Sequence, residues 1–397
     1  MIKRLLNSTK DIYRYFQLPA AARSEYLNDR SGLSKNDPGS GQVIKKGIDW
    51  LCYAQDNSTT KDGGVARHFS LISNWSPSYP ETTGYIIPTM LEYAGINNDQ
   101  AIRKRAKRMI DWLVSIQSPE GGFQGGMIGQ APVVPVVFNT GQILLGLACA
   151  VEEFGDEYRE PMIRAADWLV ENQDPDGCWR RYPTPFAVPG EKVYDTHVAW
   201  GLFEAGRIES GKGYSDAAMA NILWALKLQR ENGWFDKCCL VDPEQPLTHT
   251  LGYVLRGILE AYRFTEDSEF LNRSIKTADG IMNAMRPEDG FLPGRINSKW
   301  QGTVPWACLT GTAQIAYCWL LLFKYTGNKR YLEAGLKANE FVRRTVKTDS
   351  TPEINGAVKG SFPVQGGYGT YEYLNWACKF MIDSNMLEEK ILGATLK

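Results

Sequence analysis

The chain has 397 residues, with 44 Lys and Arg against 45 Asp and Glu, so its formal net charge is −1. This balance excludes the strongly basic surface that nucleic acid or an anionic membrane would select. Hydrophobic residues make up 43% and charged residues 22% of the chain, as in ordinary soluble globular proteins. No apolar run approaches the roughly 20 residues of a membrane span, and we expect no nucleic-acid partner.

The eight cysteines are scattered, and the adjacent pair Cys238-Cys239 has neither zinc-ribbon nor thioredoxin spacing. The amino terminus, Met1 to Leu6, is followed too soon by polar residues to form the apolar core of a signal peptide. These features predict a cytoplasmic protein. They indicate neither a cofactor nor a metal site, and they leave the oligomeric state open.

The first predicted element is an N-terminal helix and strap over residues 1–41, because Gly, Ser, Asp and Pro cluster near Asn36 to Gly41. Residues 42–397 are predicted to form a single domain. A repeat that fills nearly this whole range favours one large domain over two or three.

Six turns of similar sequence divide this domain. Each joins an acidic, Asn or Gln residue to glycine, with an aromatic or apolar residue close behind; the glycines are Gly64, Gly122, Gly177, Gly233, Gly290 and Gly367. Successive differences between these positions are 58, 55, 56, 57 and 77 residues. The sequence therefore predicts a sixfold repeat, with an insertion at 345–365 that forms either a lid or a surface excursion.

Each repeat contains two kinds of helix. An amphipathic helix precedes the turn, as in Ile110-Asp111-Trp112-Leu113, and an apolar helix rich in small residues follows it, as in Ile143-Leu144-Leu145-Gly146. Amphipathic helices belong outside and apolar helices inside. Because the outer-to-inner loops are long and the return links short, we predict an all-α (α/α)6 toroid whose long loops gather at the amino ends of the inner helices.

The turns also carry a family resemblance. Gln173-Asp174-Pro175-Asp176-Gly177-Cys178-Trp179, and less fully 117–123 and 229–234, resemble the Gln-to-Trp repeat of squalene and oxidosqualene cyclases. Over about residues 42–385 the hairpin pattern also resembles protein prenyltransferase β subunits and six-hairpin sugar enzymes. The latter include polysaccharide lyases, unsaturated-glycuronyl hydrolases and the toroidal domain of glucuronyl C5-epimerases. The resemblance implies the toroid but does not select a chemistry.

The sequence lacks the catalytic residues that terpenoid chemistry usually requires. The Asp-x-Asp-Asp acid of squalene-type cyclases does not occur. The zinc ligands of prenyltransferases are similar in type to Asp236, Cys238 and His249. However, His249 follows Cys238 by only 11 residues, whereas that family places its His a whole hairpin later. A terpenoid cyclase-like, prenyltransferase-like or non-catalytic isoprenoid-binding toroid therefore remains the alternative.

The predicted catalytic residues lie at the inner-helix starts, at positions where the residue differs from one repeat to the next. All three histidines fall on the loop face, and the predicted catalytic set is His197, His249, Asp195, Glu81 and Tyr85. A threonine recurs at each start, at positions 83, 140, 196, 250, 312 and 370. We predict that these threonines are helix N-caps.

The same loops supply predicted substrate contacts, namely Arg67, His68, Trp75, Asn139, Gln142, Arg180, Trp234, Trp306, Gln314, Tyr371 and Glu372. With the resemblance to sugar enzymes, this set favours a carbohydrate-active enzyme. A lyase or epimerase would use a Tyr or His base with Arg, His or Asn to neutralise charge. A glycoside hydrolase would instead use Glu81, Asp195 or Glu372.

Overall fold

The computed structural model describes residues 15–395 and shows an all-α (α/α)6 toroid, as predicted. Helix α1 (Ala20–Arg30) precedes twelve helices that alternate between two rings. The outer helices are α2 (Ser40–Asn57), α4 (Gln100–Ile116), α6 (Arg159–Glu171), α8 (Tyr214–Leu226), α10 (Ser268–Ala284) and α12 (Lys329–Arg343). The inner helices are α3 (Pro80–Asn97), α5 (Val137–Phe154), α7 (Thr196–Ile208), α9 (Thr248–Thr265), α11 (Leu309–Thr326) and α13 (Asn375–Thr395). Across the described range, no helix combines the length and apolar character needed to cross a membrane.

Short strands lie in the loops of the first, fifth and last repeats. They are β1 (His68–Ser70), β2 (Asn74–Trp75), β3 (Ala307–Cys308), β4 (Ser361–Phe362) and β5 (Glu372–Leu374). One antiparallel sheet has the order β2-β1-β5, with Ser70 opposite Glu372. The second pairs β3 with β4. The first sheet joins the loop of the first repeat to the last loop of the chain.

Small residues allow the inner helices to approach closely. A Cβ atom on Gly84 of α3 would lie 2.5 Å from the Cα of Ile143, and one on Gly146 of α5 would lie 2.4 Å from the carbonyl oxygen of Gly84. Each inner helix contacts the next, and α13 contacts α3. The inner ring is therefore closed.

The glutamine of the cyclase-like motif has a structural role. Gln173 Nε2 donates to the carbonyl oxygen of Gly177 in its own turn at 3.0 Å, and to that of Ala217 in α8 at 2.9 Å. Gln117 does the same one repeat earlier, with Gly121 and Pro161, both at 2.9 Å. In both repeats the glutamine ties its turn to the following outer helix, so the motif serves the scaffold.

The turn glycines pack directly on that outer helix, and this contact corrects the predicted sixth turn. A Cβ on Gly121 would lie 2.2 Å from the carbonyl oxygen of Arg164. The equivalent contact in the last repeat is made by Gly356, whose Cβ would lie 2.2 Å from the carbonyl oxygen of Lys46. The prediction that Gly367 forms the sixth turn was therefore wrong, because Gly367 instead packs on the ring of Trp306.

The close contact predicts a large effect of one methyl group. Gly121→Ala should lower the free energy of unfolding by about 3 kcal/mol, because Cβ meets a fixed carbonyl and φ is +102°. Gly211→Ala is the matched control, since φ is +90° there but nothing lies within 4 Å; it should cost about 1 kcal/mol. Urea denaturation measures both, and equal losses would contradict the packing role.

The prediction that the threonines cap the inner helices was wrong. The residue at the N-cap of α3 is Tyr79, which makes no side-chain cap. Thr83 lies one turn inside; its hydroxyl donates to the carbonyl oxygen of Tyr79 at 2.8 Å and accepts from Val65 N at 3.0 Å. Thr370 precedes β5 and does not begin a helix; the last inner helix begins at Asn375.

The described part of the predicted N-terminal segment is anchored by charge, while residues 1–14 lie outside the described range. Lys359 Nζ contacts Glu25 Oε1 at 2.9 Å and Asp29 Oδ1 at 2.5 Å, and all three side chains are buried. Asp29 also accepts from Val364 N at 2.7 Å. Helix α1 thus holds the carboxyl-terminal part of the predicted insertion against the toroid.

Candidate active site

The amino ends of the inner helices and their loops surround a cavity of about 320 Å³. We call this end of the toroid the mouth. The volume lies at the low end of the range of about 300–1,000 Å³ for small-molecule sites. Aromatic side chains form much of the wall, namely Tyr79, Tyr85, Phe138, Tyr194, Tyr253, Tyr368 and Trp376.

Glu81 is a buried carboxyl group in this wall. It lies in the first turn of α3 beside Pro80, and 8% of it is exposed. Burial raises its pKa to about 7, against opposing contributions from Tyr79 and Arg67. The hydroxyl of Tyr79 donates to Glu81 Oε2 at 2.7 Å. Glu81 can therefore exchange a proton near neutral pH, which suits a general acid or base.

His249 also lines the cavity and is neutral. It lies in the first turn of α9, with its ring centroid 4.8 Å from that of Tyr368 and 5.5 Å from that of Tyr253. Burial lowers its pKa to about 3. Its Nδ1 is buried without a hydrogen-bond partner in the described part of the chain. Such an atom normally finds a partner, and a ligand could supply one.

Arg67 places a cation in the cavity wall, and two predicted residues hold it. Its Nη1 contacts Glu372 Oε2 at 3.1 Å and His68 Nδ1 at 2.6 Å. Its guanidinium lies 5.0 Å from the ring of Trp376. Burial lowers the pKa of His68 to about 4, so its neutral ring can accept this hydrogen bond. His68 and Glu372 position Arg67 and do not themselves line the cavity.

The predicted catalytic residues are only partly brought together. Glu81, Tyr85 and His249 line the cavity, whereas His197 and Asp195 do not. His197 is buried, with Nδ1 2.6 Å from Gln142 Oε1. A 3₁₀ turn over Val193–Asp195 precedes α7, and Tyr194 lines the cavity instead of either predicted residue. Gln142 likewise does not line it, nor do Asn139 and Gln314, all three of which are buried.

Asp195 is expected to lower the free energy of unfolding as the pH rises. Burial raises its pKa to about 8, although nearby Lys192 lowers it. The unfolded chain ionises an aspartate near pH 4, so the wild type should lose stability as the pH rises from about 4 to 8. We expect Asp195→Asn to raise the free energy of unfolding at pH 8, relative to pH 5, by more than about 1 kcal/mol. Denaturation at both pH values tests this, and an unchanged pH dependence would contradict it.

Five predicted substrate contacts lie away from the cavity: Trp75, Arg180, Trp234, Trp306 and Tyr371. Trp75 packs on Phe69, with ring centroids 5.2 Å apart. Arg180 pairs with Asp176 at 2.7 Å near its own turn. Trp234 is buried against Trp300 at 5.2 Å, and Trp306 packs over Gly366. Tyr371 is buried beside β1. None of the five lines this cavity.

Other wall residues were absent from the prediction. Tyr253 follows His249 by one helical turn, and the i, i+4 spacing places both on one face. Tyr79 stands two residues before Glu81, and Trp376 follows the first residue of α13. The helical spacing could have identified Tyr253. Trp376 could not be found, because the start of the last inner helix was misplaced.

Sequence comparison matches part of the chain to terpenoid cyclases. The family model for the squalene-hopene cyclase C-terminal domain matches residues 81–258. The squalene--hopene cyclase of Zymomonas mobilis is 25% identical over 167 residues, which is 40% of this chain and 22% of that protein. The chain therefore corresponds to about a fifth of that relative.

Solved structures of sugar enzymes match nearly the whole chain. An unsaturated glucuronyl hydrolase specific for heparin has a TM-score of 0.70 at 17% identity, covering 91% of this chain and all of the other. A D-mannose isomerase has a TM-score of 0.71 at 14% identity, covering 89% and 97%. A sugar epimerase from a ruminal bacterium has a TM-score of 0.71 at 13% identity, covering 88% and 98%. At these identities the likeness shows the fold, an (α/α)6 toroid.

Proposed function

We propose that this protein is a carbohydrate-active enzyme that transfers a proton at a sugar carbon inside the mouth cavity. The observation that carries the proposal is that Glu81, His249 and Arg67 all line one cavity. Each has a property that proton transfer needs, namely a carboxyl group titrating near neutrality, a neutral imidazole and a fixed cation. The sugar hydrolase, isomerase and epimerase with the same fold support the substrate class.

The chemistry follows from these three groups. The Glu81 carboxylate takes a proton from a carbon next to a carboxylate or carbonyl of the sugar. The neutral ring of His249 donates a hydrogen bond to the oxygen where negative charge develops, and Arg67 neutralises the substrate carboxylate. Delivery of a proton to the opposite face by a second group, such as the hydroxyl of a tyrosine in the cavity wall, gives an epimer. Returning the Glu81 proton to the neighbouring carbon gives an isomer. Loss of the group at the β carbon instead gives an unsaturated sugar.

Glycoside hydrolysis by two carboxylates is less well supported. Such enzymes place two carboxyl groups on either side of the scissile bond. Glu81 is the one carboxylate among the described residues that line the cavity. Glu372 is engaged by Arg67, and Asp195 lies outside the wall.

Terpenoid chemistry is the second candidate, because the cyclase family model matches residues 81–258 and the wall is largely aromatic. Aromatic faces stabilise carbocations. Against it, the chain has no Asp-x-Asp-Asp acid, and Arg67 places a positive charge in the wall. Incubation with squalene and with prenyl diphosphates, followed by mass spectrometry, tests this alternative; cyclised product would favour it.

Tyr79 should set the pH at which the base becomes active. Its hydrogen bond lowers the pKa of Glu81, so Tyr79→Phe should move the rising limb of kcat/KM upward by about one pH unit. Tyr331→Phe is the matched control, since that hydroxyl bonds Asp279 at 2.8 Å on the outer ring. A midpoint that stays in place or moves down would exclude Glu81 as the titrating base.

A substrate screen tests the proposal itself. The protein is incubated with uronate oligosaccharides and with reducing monosaccharides, and three products are followed: epimers by NMR, ketose–aldose isomers by chromatography and unsaturated uronates by ultraviolet absorbance. We expect one of these products, dependent on Glu81. Release of reducing ends without any of them would favour hydrolysis.

A further inference from the structure

Exposed apolar side chains form a patch along one side of the mouth. We call it the apolar rim, and it consists of Val133, Val134, Tyr182, Phe186, Val188 and Val241. Between 40% and 69% of each residue is exposed. They come from the long loops of the second, third and fourth repeats. Single exposed apolar residues are common, but a contiguous group marks a binding surface.

Contacts within and between the loops bring the rim residues near one another. Gly125 N donates to the carbonyl oxygen of Val134 at 3.0 Å within the second loop, and a Cβ on Gly126 would lie 3.2 Å from Phe186 Cζ of the third loop. Val188 N donates to the carbonyl oxygen of Leu240 at 2.7 Å, next to Val241. These contacts place the second loop against the third and the third against the fourth.

The rim continues into the cavity. Phe186 belongs to both, and its neighbours Met127 and Leu240 line the cavity wall. Arg67 and its partner Glu372 belong to the first and last loops. One wall of the mouth is therefore charged, whereas the side formed by the second to fourth loops leads outward over apolar surface. A ligand that matches both has a polar, acidic head and an apolar group attached to it.

We propose that the substrate is a saccharide with an apolar aglycone, and that the apolar rim binds this aglycone while the sugar occupies the cavity. This inference rests on the proposed function and names its substrate class. A chain leaving the cavity past Phe186 passes onto Val188 and Val241. Covering these side chains removes apolar area from water, which stabilises the complex.

The test compares methyl glucuronide with octyl glucuronide by titration calorimetry. Wild type should bind the octyl glycoside about tenfold more tightly or better, because the rim covers several methylenes. The double variant V188S/V241S should lose most of this preference and bind methyl glucuronide as wild type does, since neither residue lines the cavity. Leu223→Ser is the matched control, because Leu223 lies on α8 and is 49% exposed.

Three outcomes overturn the inference. Two are equal affinity of the wild type for the two glycosides, and an octyl preference that V188S/V241S retains. The other is sedimentation with phosphatidylcholine vesicles, lost in V188S/V241S, without any octyl preference, which would assign the rim to a bilayer. An octyl preference in a wild type that moves no proton supports the rim inference and contradicts the proposed chemistry.

Discussion

Glu81→Gln should reduce turnover by about 10²–10⁴-fold, the usual contribution of a positioned acid or base. The amide has nearly the shape of the carboxyl group and can still accept the hydrogen bond from Tyr79, but it cannot take a proton. The effect should therefore fall on kcat, with a smaller change in KM. Steady-state kinetics on the substrate found in the screen gives both constants.

The matched control is Glu120→Gln, which changes an exposed glutamate of a repeat turn and should leave kcat unchanged. Circular dichroism of both variants verifies the fold. A Glu81→Gln enzyme that retains more than about a tenth of wild-type kcat would remove Glu81 from the reaction.

Lys359→Met should lower the free energy of unfolding by about 3–5 kcal/mol, because removing one partner of a buried ion pair leaves uncompensated charge. Lys359 is 2% exposed and is shared by Glu25 and Asp29, which are also buried. Burial raises the pKa of Asp29 although Lys359 lowers it, whereas Lys359 and Lys347 hold the pKa of Glu25 below its usual value against burial. Without Lys359 the pKa of Asp29 rises further above that of the unfolded chain, so the loss should be larger at pH 8 than at pH 5.

Lys347→Met is the matched control for this variant. Lys347 also contacts Glu25, but its side chain is 33% exposed, so the loss should be near 1 kcal/mol or less. Urea denaturation at the two pH values measures both variants. Equal losses for the two lysines, or a Lys359→Met loss that does not depend on pH, would contradict a buried charge cluster that anchors α1.

The toroid could be predicted because the sequence pattern that specifies it is local and repeated. Each turn glycine follows an amphipathic helix and precedes an apolar one, so periodicity alone separates the two rings. The position of the sixth turn was predicted wrongly because Gly366-Gly367 has the sequence of a repeat turn but packs on Trp306. The contact with the outer helix is made by Gly356. Local sequence does not show which helix a glycine touches.

The site was predicted in part for the same reason. Glu81 and His249 follow from the inner-helix starts, which the repeat locates well. The pairing of Arg67 with Glu372 joins residues 305 positions apart through β1 and β5, which no local pattern reveals. Asp195 ends a 3₁₀ turn before α7, and Tyr194 of that turn lines the cavity while Asp195 does not.

The central claim is that the mouth cavity transfers a proton at a sugar carbon, and hydrogen exchange in D₂O tests it most directly. Wild-type protein is incubated with uronate oligosaccharides and reducing sugars, and NMR follows the loss of each carbon-bound proton signal. We expect one carbon next to a carboxylate or carbonyl to lose its proton signal, either by exchange for deuterium or by elimination to an unsaturated sugar, and Glu81→Gln should abolish this loss. Turnover of a sugar that keeps every carbon-bound proton, or a proton loss that Glu81→Gln retains, would contradict the proposed chemistry.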